Sequence, residues 1–184
     1  MKKLSHLPTL LAAFLALTSY ALGQQPQQPE GQGDQDQLVQ TVRNATAQYV
    51  DDVKAAMRAG YGAVLGCVSG SDHGAMGVHY VNGAFNGETL LSDGQLDPTR
   101  PQALIYEPQA NGAMKLVAVE FIIYASALPA GAAPPEVDGH LMLYVDSPNR
   151  YGLQAFYELH VWAWKDNPQG PFVDWNNHVS CALQ

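Results

Sequence analysis

The chain has 184 residues, with 9 basic against 17 acidic side chains, two cysteines and 47% apolar residues. That acidic balance excludes nucleic acid and anionic membrane as main partners, since both select a basic surface. It is compatible with a bound cation, or with solubility alone.

Residues 1–23 read as an export signal. Lys2 and Lys3 give a positive start, Leu7 to Leu17 is an apolar run too short to span a bilayer, and Ala21 and Gly23 stand three and one before a cut ahead of Gln24. No later run reaches membrane-spanning length, so the expectation is a periplasmic or secreted protein with no membrane insertion once the signal is removed. Loss of Lys2 and Lys3 leaves 7 basic residues against 17 acidic, a formal charge of −10. Residues 24–36 (QQPQQPEGQGDQD) carry almost no apolar side chain and read as a disordered Gln/Pro-rich spacer. Residues 37–184 suit a single globular domain.

Asp36 to Gly60 is the clearest helix. Leu38, Val42, Ala45, Tyr49, Val53 and Ala56 recur at spacings of three and four and form one apolar stripe. Asp34 or Asp36 can cap its start and Gly60 ends it. Tyr61 to Gly77 is glycine-rich and reads as irregular backbone. A short strand follows at Val78 to Val81, then turn pairs at Asn82-Gly83 and Asn86-Gly87.

Ala103 to Tyr106 and Met114 to Tyr124 predict a hairpin turned at Asn111-Gly112. The second strand, MKLVAVEFIIY, is apolar on both faces, which predicts a central position. His140 to Val145 and Leu153 to Lys165 predict two further strands, and the Pro/Gly-rich stretch from Asn167 to Pro171 ends the last of them. One helix followed by strands joined by turns predicts an α+β fold, with the N-terminal amphipathic helix packed on a curved antiparallel sheet or small barrel.

An exported chain meets an oxidising compartment, so Cys67 and Cys181 predict a disulfide. It would close a loop of over 110 residues, a constraint that chain entropy values at ~4–5 kcal/mol.

Three polar residues stand out in otherwise apolar strands: His79, Glu120 and His160. A carboxylate on a central strand is costly to bury unless it is paired or binds a metal. Two imidazoles and a carboxylate form a common ligand set for zinc, copper or iron, with positions left for water or substrate. Convergence of the three within about 5 Å would favour ligation. Glu158, two residues from His160 on the same strand face, is either a fourth ligand or a partner that orients an imidazole. The competing reading makes His79 and His160 core histidines hydrogen-bonded to Glu120 and Glu158 or to a tyrosine. A further reading takes Trp162, Trp164 and Phe156, placed on one face by strand alternation, as a pocket for a small apolar ligand. A structural or interaction domain without metal is the third. Nucleophile elbows, Walker loops and dinucleotide fingerprints are absent from the sequence.

The segments Gly74-Ala75-Met76-Gly77-Val78-His79-Tyr80, Leu116-Val117-Ala118-Val119-Glu120, Leu159-His160-Val161-Trp162-Ala163-Trp164, and Asn167-Pro168 through Gly170, Phe172, Trp175-Asn176, Val179 and Cys181 together form a signature. With it the chain from about Asp36 onward resembles a group of exported bacterial proteins of uncharacterised function. The resemblance implies a bacterial, exported source and no particular activity. Asn177 stands where the resemblance leads one to expect proline.

Overall fold

The computed structural model describes residues 36–70, 72–83 and 91–184. The expected signal at 1–23, the spacer up to residue 35 and the turn pair Asn86-Gly87 lie outside the described residues.

Asp36 opens the first helix, α1 (Gln37–Thr46), by accepting from the Leu38 and Val39 amides. The apolar stripe does not continue as one helix to Gly60. A single 3-10 turn follows at Ala47–Tyr49, and a second helix, α2 (Val53–Arg58), starts afresh from Asp52, whose carboxylate caps Ala55. The break has a tertiary cause. The Tyr49 carbonyl accepts from the Tyr106 hydroxyl at 2.9 Å, and the Val50 carbonyl accepts from the Leu116 amide at 3.0 Å. Both acceptors are thereby tied to the sheet and cannot serve a continuing helix.

The strands are β1 (Tyr61–Ala63), β2 (Val68–Ser69), β3 (Ala75–Asn82), β4 (Ala103–Pro108), β5 (Met114–Tyr124), β6 (Glu136–Val137), β7 (His140–Leu141), β8 (Leu143–Val145) and β9 (Phe156–Val161). Seven of them form one antiparallel sheet along β1-β3-β4-β5-β9-β8, with β2 also on β3, and β6 and β7 pair separately. β1 and β8 end the path, so the sheet is not closed, and the small-barrel expectation is replaced by an open mixed fold of helix and antiparallel sheet. β4 and β5 form the expected hairpin, and β5 lies centrally between β4 and β9.

Other differences also have local reasons. The glycine-rich stretch expected to be irregular holds β1 and β2, because their pairing with β3 supplies the order that their side chains do not. The strand expected over His140 to Val145 divides at Met142, whose amide donates to Pro135 and whose side chain is buried. The last strand stops at Val161, where the Ala163 amide turns back to the Val161 carbonyl at 2.9 Å.

The sheet has two distinct faces. One is covered by α1 and α2, whose Leu38, Val39, Val42 and Ala56 are buried with Leu104, Tyr106, Phe121 and Leu159. On the other face, two smaller apolar clusters form. Ala75, Ile105, Val117, Ala118, Trp162 and Val179 make one; Val81, Leu91, Ala103, Ile122 and Phe156 make the other. The C-terminal segment from Asn167 crosses the first of these clusters as a strap. Asn176 pairs with Ala75 through both backbone hydrogen bonds, at 3.1 and 3.2 Å, and its buried side chain bridges the Asp166 carbonyl and the His178 amide. Gly74 has φ +80°, and a Cβ there would run into the Asn176 backbone, so glycine is required where the strap crosses.

Cys67 and Cys181 are disulfide-bonded, as expected, and fix the end of the strap to the loop between β1 and β2. Replacing both cysteines by serine is expected to lower the free energy of unfolding by ~2–5 kcal/mol, read from urea denaturation. A loss below ~1 kcal/mol would show that the strap is held by its own packing and hydrogen bonds.

Candidate metal centre

Register explains how the three isolated polar residues meet. His79 on β3 lies opposite Ile105 on β4, Val81 lies opposite Ala103, Ala103 lies opposite Glu120 on β5, and Glu120 lies opposite His160 on β9. Side chains of directly paired residues share a face, so His79, Glu120, His160 and Glu158 all project from the face away from the helices. His79 and Glu120 stand two strands apart, a backbone separation of ~10 Å. Their side chains meet across β4 beside Ile105, where Ala103, opposite Glu120, presents only a methyl group.

The result is a compact polar group between the two apolar clusters. Ligand atoms from His79, Glu120 and His160 lie within 4.8 Å of one another, and all three residues are buried. His79 Nε2 is 3.3 Å from one Glu120 oxygen, and His160 Nδ1 is 3.8 Å from the other. The two imidazole rings meet edge to face with centroids 5.9 Å apart. This group could hold a metal ion.

The expectation that core histidines would be satisfied by glutamates holds only in part. His79 Nε2 reaches Glu120, but among the described residues both ring nitrogens of His160 have no hydrogen-bond partner. The His160 side chain is 0% exposed. Its nearest charged neighbours, Glu120 at 3.8 Å and Asp174 at 3.7 Å, are too distant to hydrogen-bond. Asp174 sits on the strap. Sequence pattern did not single it out, because the strap has no periodicity to mark which of its side chains points inward.

Burial dominates the electrostatics. It lowers His79 to about 4, against which the Glu158 carboxylate and the Gly77 backbone pull upward. Burial, and then the proximity of His79, drives His160 well below the ordinary histidine range. Burial raises Glu120 to about 7, with a hydrogen bond to Glu158 acting in the other direction and Asp174 adding to the rise. Glu158 rises to about 10 through burial and then the charge and hydrogen bond of Glu120. In the metal-free protein, burial therefore favours neutral imidazoles and a protonated carboxyl on Glu158.

A cavity of about 40 Å³ opens beside this group. His79, Glu120 and Glu158 line it together with Val64, Leu65, Met76, Tyr151 and Phe156, and the surface it presents is almost wholly apolar. The three rings expected to line one ligand pocket are in fact dispersed. Phe156 borders the cavity. Trp162 belongs to the apolar cluster under the strap, where its Nε1 donates to the Val173 carbonyl. Trp164 packs on the helix face and donates to Thr46 Oγ1 at 3.0 Å. The strand ends before Trp164, so period-two alternation no longer governs its direction.

Glu158 offers a direct electrostatic test. A raised folded-state value means that the folded chain holds a proton the unfolded chain releases. The associated stability is full below the ordinary glutamate value of 4.5 and is lost as pH rises toward about 10. Metal-free wild type is expected to lose stability steadily across that window. Glu158→Gln, which keeps a neutral donor, is expected to show a shallower slope in urea unfolding with chelator present. Parallel slopes would show that Glu158 is ionised in the folded state.

In comparison with known proteins, the chain matches no family model, no curated protein and no solved structure.

Proposed function

We propose that the protein is an exported metal-binding domain in which His79, Glu120 and His160 hold one divalent transition-metal ion. The observation that carries this reading is the His160 ring, fully buried with both nitrogens unpartnered. A buried polar atom without a partner costs ~1–3 kcal/mol. The two nitrogens together therefore cost a sizeable part of the ~5–15 kcal/mol that stabilises an ordinary domain. A metal ion bound at one of the two nitrogens offsets that nitrogen's share of the cost, because a neutral imidazole nitrogen is a metal ligand and the adjacent carboxylate balances charge.

Each residue has a distinct part. His79 and His160 supply neutral nitrogen donors from β3 and β9. Glu120 supplies the anionic oxygen between them. Glu158 hydrogen-bonds Glu120 and fixes its direction, and it becomes a fourth ligand where the ion displaces its proton. The mixed nitrogen and oxygen donor set suits zinc, copper or iron and disfavours calcium and magnesium, which take oxygen ligands. The disulfide between Cys67 and Cys181 fits an oxidising, extracytoplasmic setting, in keeping with the signal read at residues 1–23. An ion here would act as a Lewis acid.

Protein purified without an affinity tag is expected to carry, or take up, one transition-metal ion per chain by elemental analysis. His160→Leu is expected to weaken uptake by at least about a hundredfold. The same variant is expected to match or exceed the stability of metal-free wild type, because it replaces an unpartnered polar ring by an apolar side chain of similar bulk. Failure to bind stoichiometric metal, together with an unchanged affinity for added metal in the variant, would overturn the reading. A large loss of metal-free stability in His160→Leu would show instead that the imidazole is a satisfied structural group.

A further inference from the structure

Asp174 lies nearer the polar group than its place on the strap suggests. Its Oδ1 is 3.7 Å from His160 Nδ1, and a Glu120 oxygen is 3.8 Å from the same nitrogen. Both separations are too long for a hydrogen bond. They suit ligands of one ion: donor atoms each ~2.1 Å from a common ion stand about 3.4 Å apart at a tetrahedral angle and farther apart at a wider one. The nitrogen flanked by the two carboxyls belongs to a fully buried ring and has no hydrogen-bond partner among the described residues. Burial raises the Asp174 carboxyl, with no hydrogen bond among the described residues to oppose it.

Two carboxyls compete for the fourth position beside His79, Glu120 and His160. Glu158 is hydrogen-bonded to Glu120 and lines a cavity whose surface is almost wholly apolar. Asp174 instead meets His160 directly, and its charge is felt at Glu120 and Glu158 as well. Its position is also fixed: the neighbouring Val173 carbonyl accepts from the Trp162 ring, and Asn176 is paired with Ala75. Access separates the two further. The Asp174 side chain is 27% exposed, whereas His79, Glu120, His160 and Glu158 are buried. Charge points the same way. Beside two neutral imidazoles, Glu120 and Asp174 supply the two negative charges that balance a divalent ion, so Glu158 need not give up its proton.

We infer that Asp174 is the fourth ligand of the ion and stands on its solvent side, so that the strap completes a site begun on the sheet. This inference rests on the metal reading of His79, Glu120 and His160. The donor set becomes two imidazole nitrogens and two carboxylate oxygens, and the ion ties β3, β5 and β9 to the strap. Glu158 acts on the ion only through Glu120, whose direction it holds. The ion enters and leaves past Asp174, the one member of the group whose side chain reaches solvent to any extent.

The test is a calorimetric titration of zinc into metal-free full chain at one pH, comparing wild type, Asp174→Asn and Glu158→Gln, with His160→Leu as the control for the metal reading. Asp174→Asn is expected to bind zinc at least about tenfold more weakly, and Glu158→Gln within about threefold of wild type. Loss of a residue that only orients a ligand also weakens a metal by ~10–100-fold, so affinity alone does not identify a ligand. Cobalt(II) supplies a second readout, because its visible absorption reports the donor set. Asp174→Asn is expected to change the bands of the cobalt-loaded chain, and Glu158→Gln to leave them in place. A third measurement needs no variant: zinc is expected to slow amide exchange at Asn176 on the strap by at least about tenfold in wild type. Unchanged cobalt bands in Asp174→Asn, or unchanged exchange at Asn176, overturn this inference and leave the metal reading standing where His160→Leu loses zinc. Weaker zinc binding in Glu158→Gln than in Asp174→Asn gives the fourth position to Glu158 and overturns it as well. A wild-type chain that takes up no zinc and no cobalt overturns both readings together.

Discussion

Desolvation of a carboxyl on the central strand is the constraint around which the rest of this structure is arranged. Glu120 lies on β5, the strand with neighbours on both sides and apolar clusters on both faces. An isolated carboxylate there would be prohibitively costly, and a protonated one still needs partners. The fold meets that demand by surrounding Glu120 with other titratable groups: His79 from one side, His160 directly across the strand pair, and Glu158 on the diagonal. Each of those groups is itself buried, so each partner brings its own desolvation cost. The group is self-consistent only if protons or an ion are shared among its members. A proton shared between Glu120 and Glu158 would satisfy the carboxyls, both of which burial raises. It does nothing for His160, which keeps two unpartnered nitrogens. The remaining imbalance therefore sits on one imidazole, which lies in a group that could hold a metal ion.

Small residues make the arrangement sterically feasible. Ala103 keeps the β4 surface low opposite Glu120, and Gly77, with φ +117°, lets β3 approach β4 so closely that a Cβ would contact the Tyr106 carbonyl at 2.7 Å. Elsewhere in the sheet the same strands carry Leu104, Tyr106, Val119 and Phe121 toward the helices. One face is thus packed with bulky groups and supplies the stability. The opposite face gives up part of its packing to a polar belt, a strap and a cavity. That division explains why the apolar surface there forms two small clusters instead of one.

Much of the site was legible in the sequence because polar residues are conspicuous inside apolar strands. His79, Glu120 and His160 could each be named from that contrast, and the five-ångström criterion is met at 4.8 Å. Alternation alone put Glu158 on the His160 face. Alternation also misplaced Trp164, since it was carried past Val161, where a backbone turn ends the strand. The unbroken helix failed for a related reason: its stripe of spacing-three and spacing-four residues is real, but the carbonyls of Tyr49 and Val50 are captured by Tyr106 and Leu116, sixty or so positions away. Local periodicity carries no record of such distant donors. Asp174 and Tyr151 escaped for want of any periodic frame, one on the strap and the other in the turn before β9.

The strap decides whether the polar group is formed in advance or assembled by its ligand. On one side of Asp174, the Val173 carbonyl accepts from the Trp162 ring; on the other, Asn176 is locked to Ala75 by two backbone bonds and buried by its own side-chain bridges. Five residues beyond Asn176, Cys181 is bonded to Cys67. Asp174 is therefore fenced on both sides, and its 3.7 Å separation from His160 Nδ1 is set by backbone pairing and not by attraction between the two groups. Small metallodomains that unfold without metal have no such frame, because ion binding is their main source of order. Here a seven-stranded sheet, two helices and a disulfide supply the order independently. The gap between His160, Glu120 and Asp174 is thus held by the fold itself, and an ion taken up there would find its site already built.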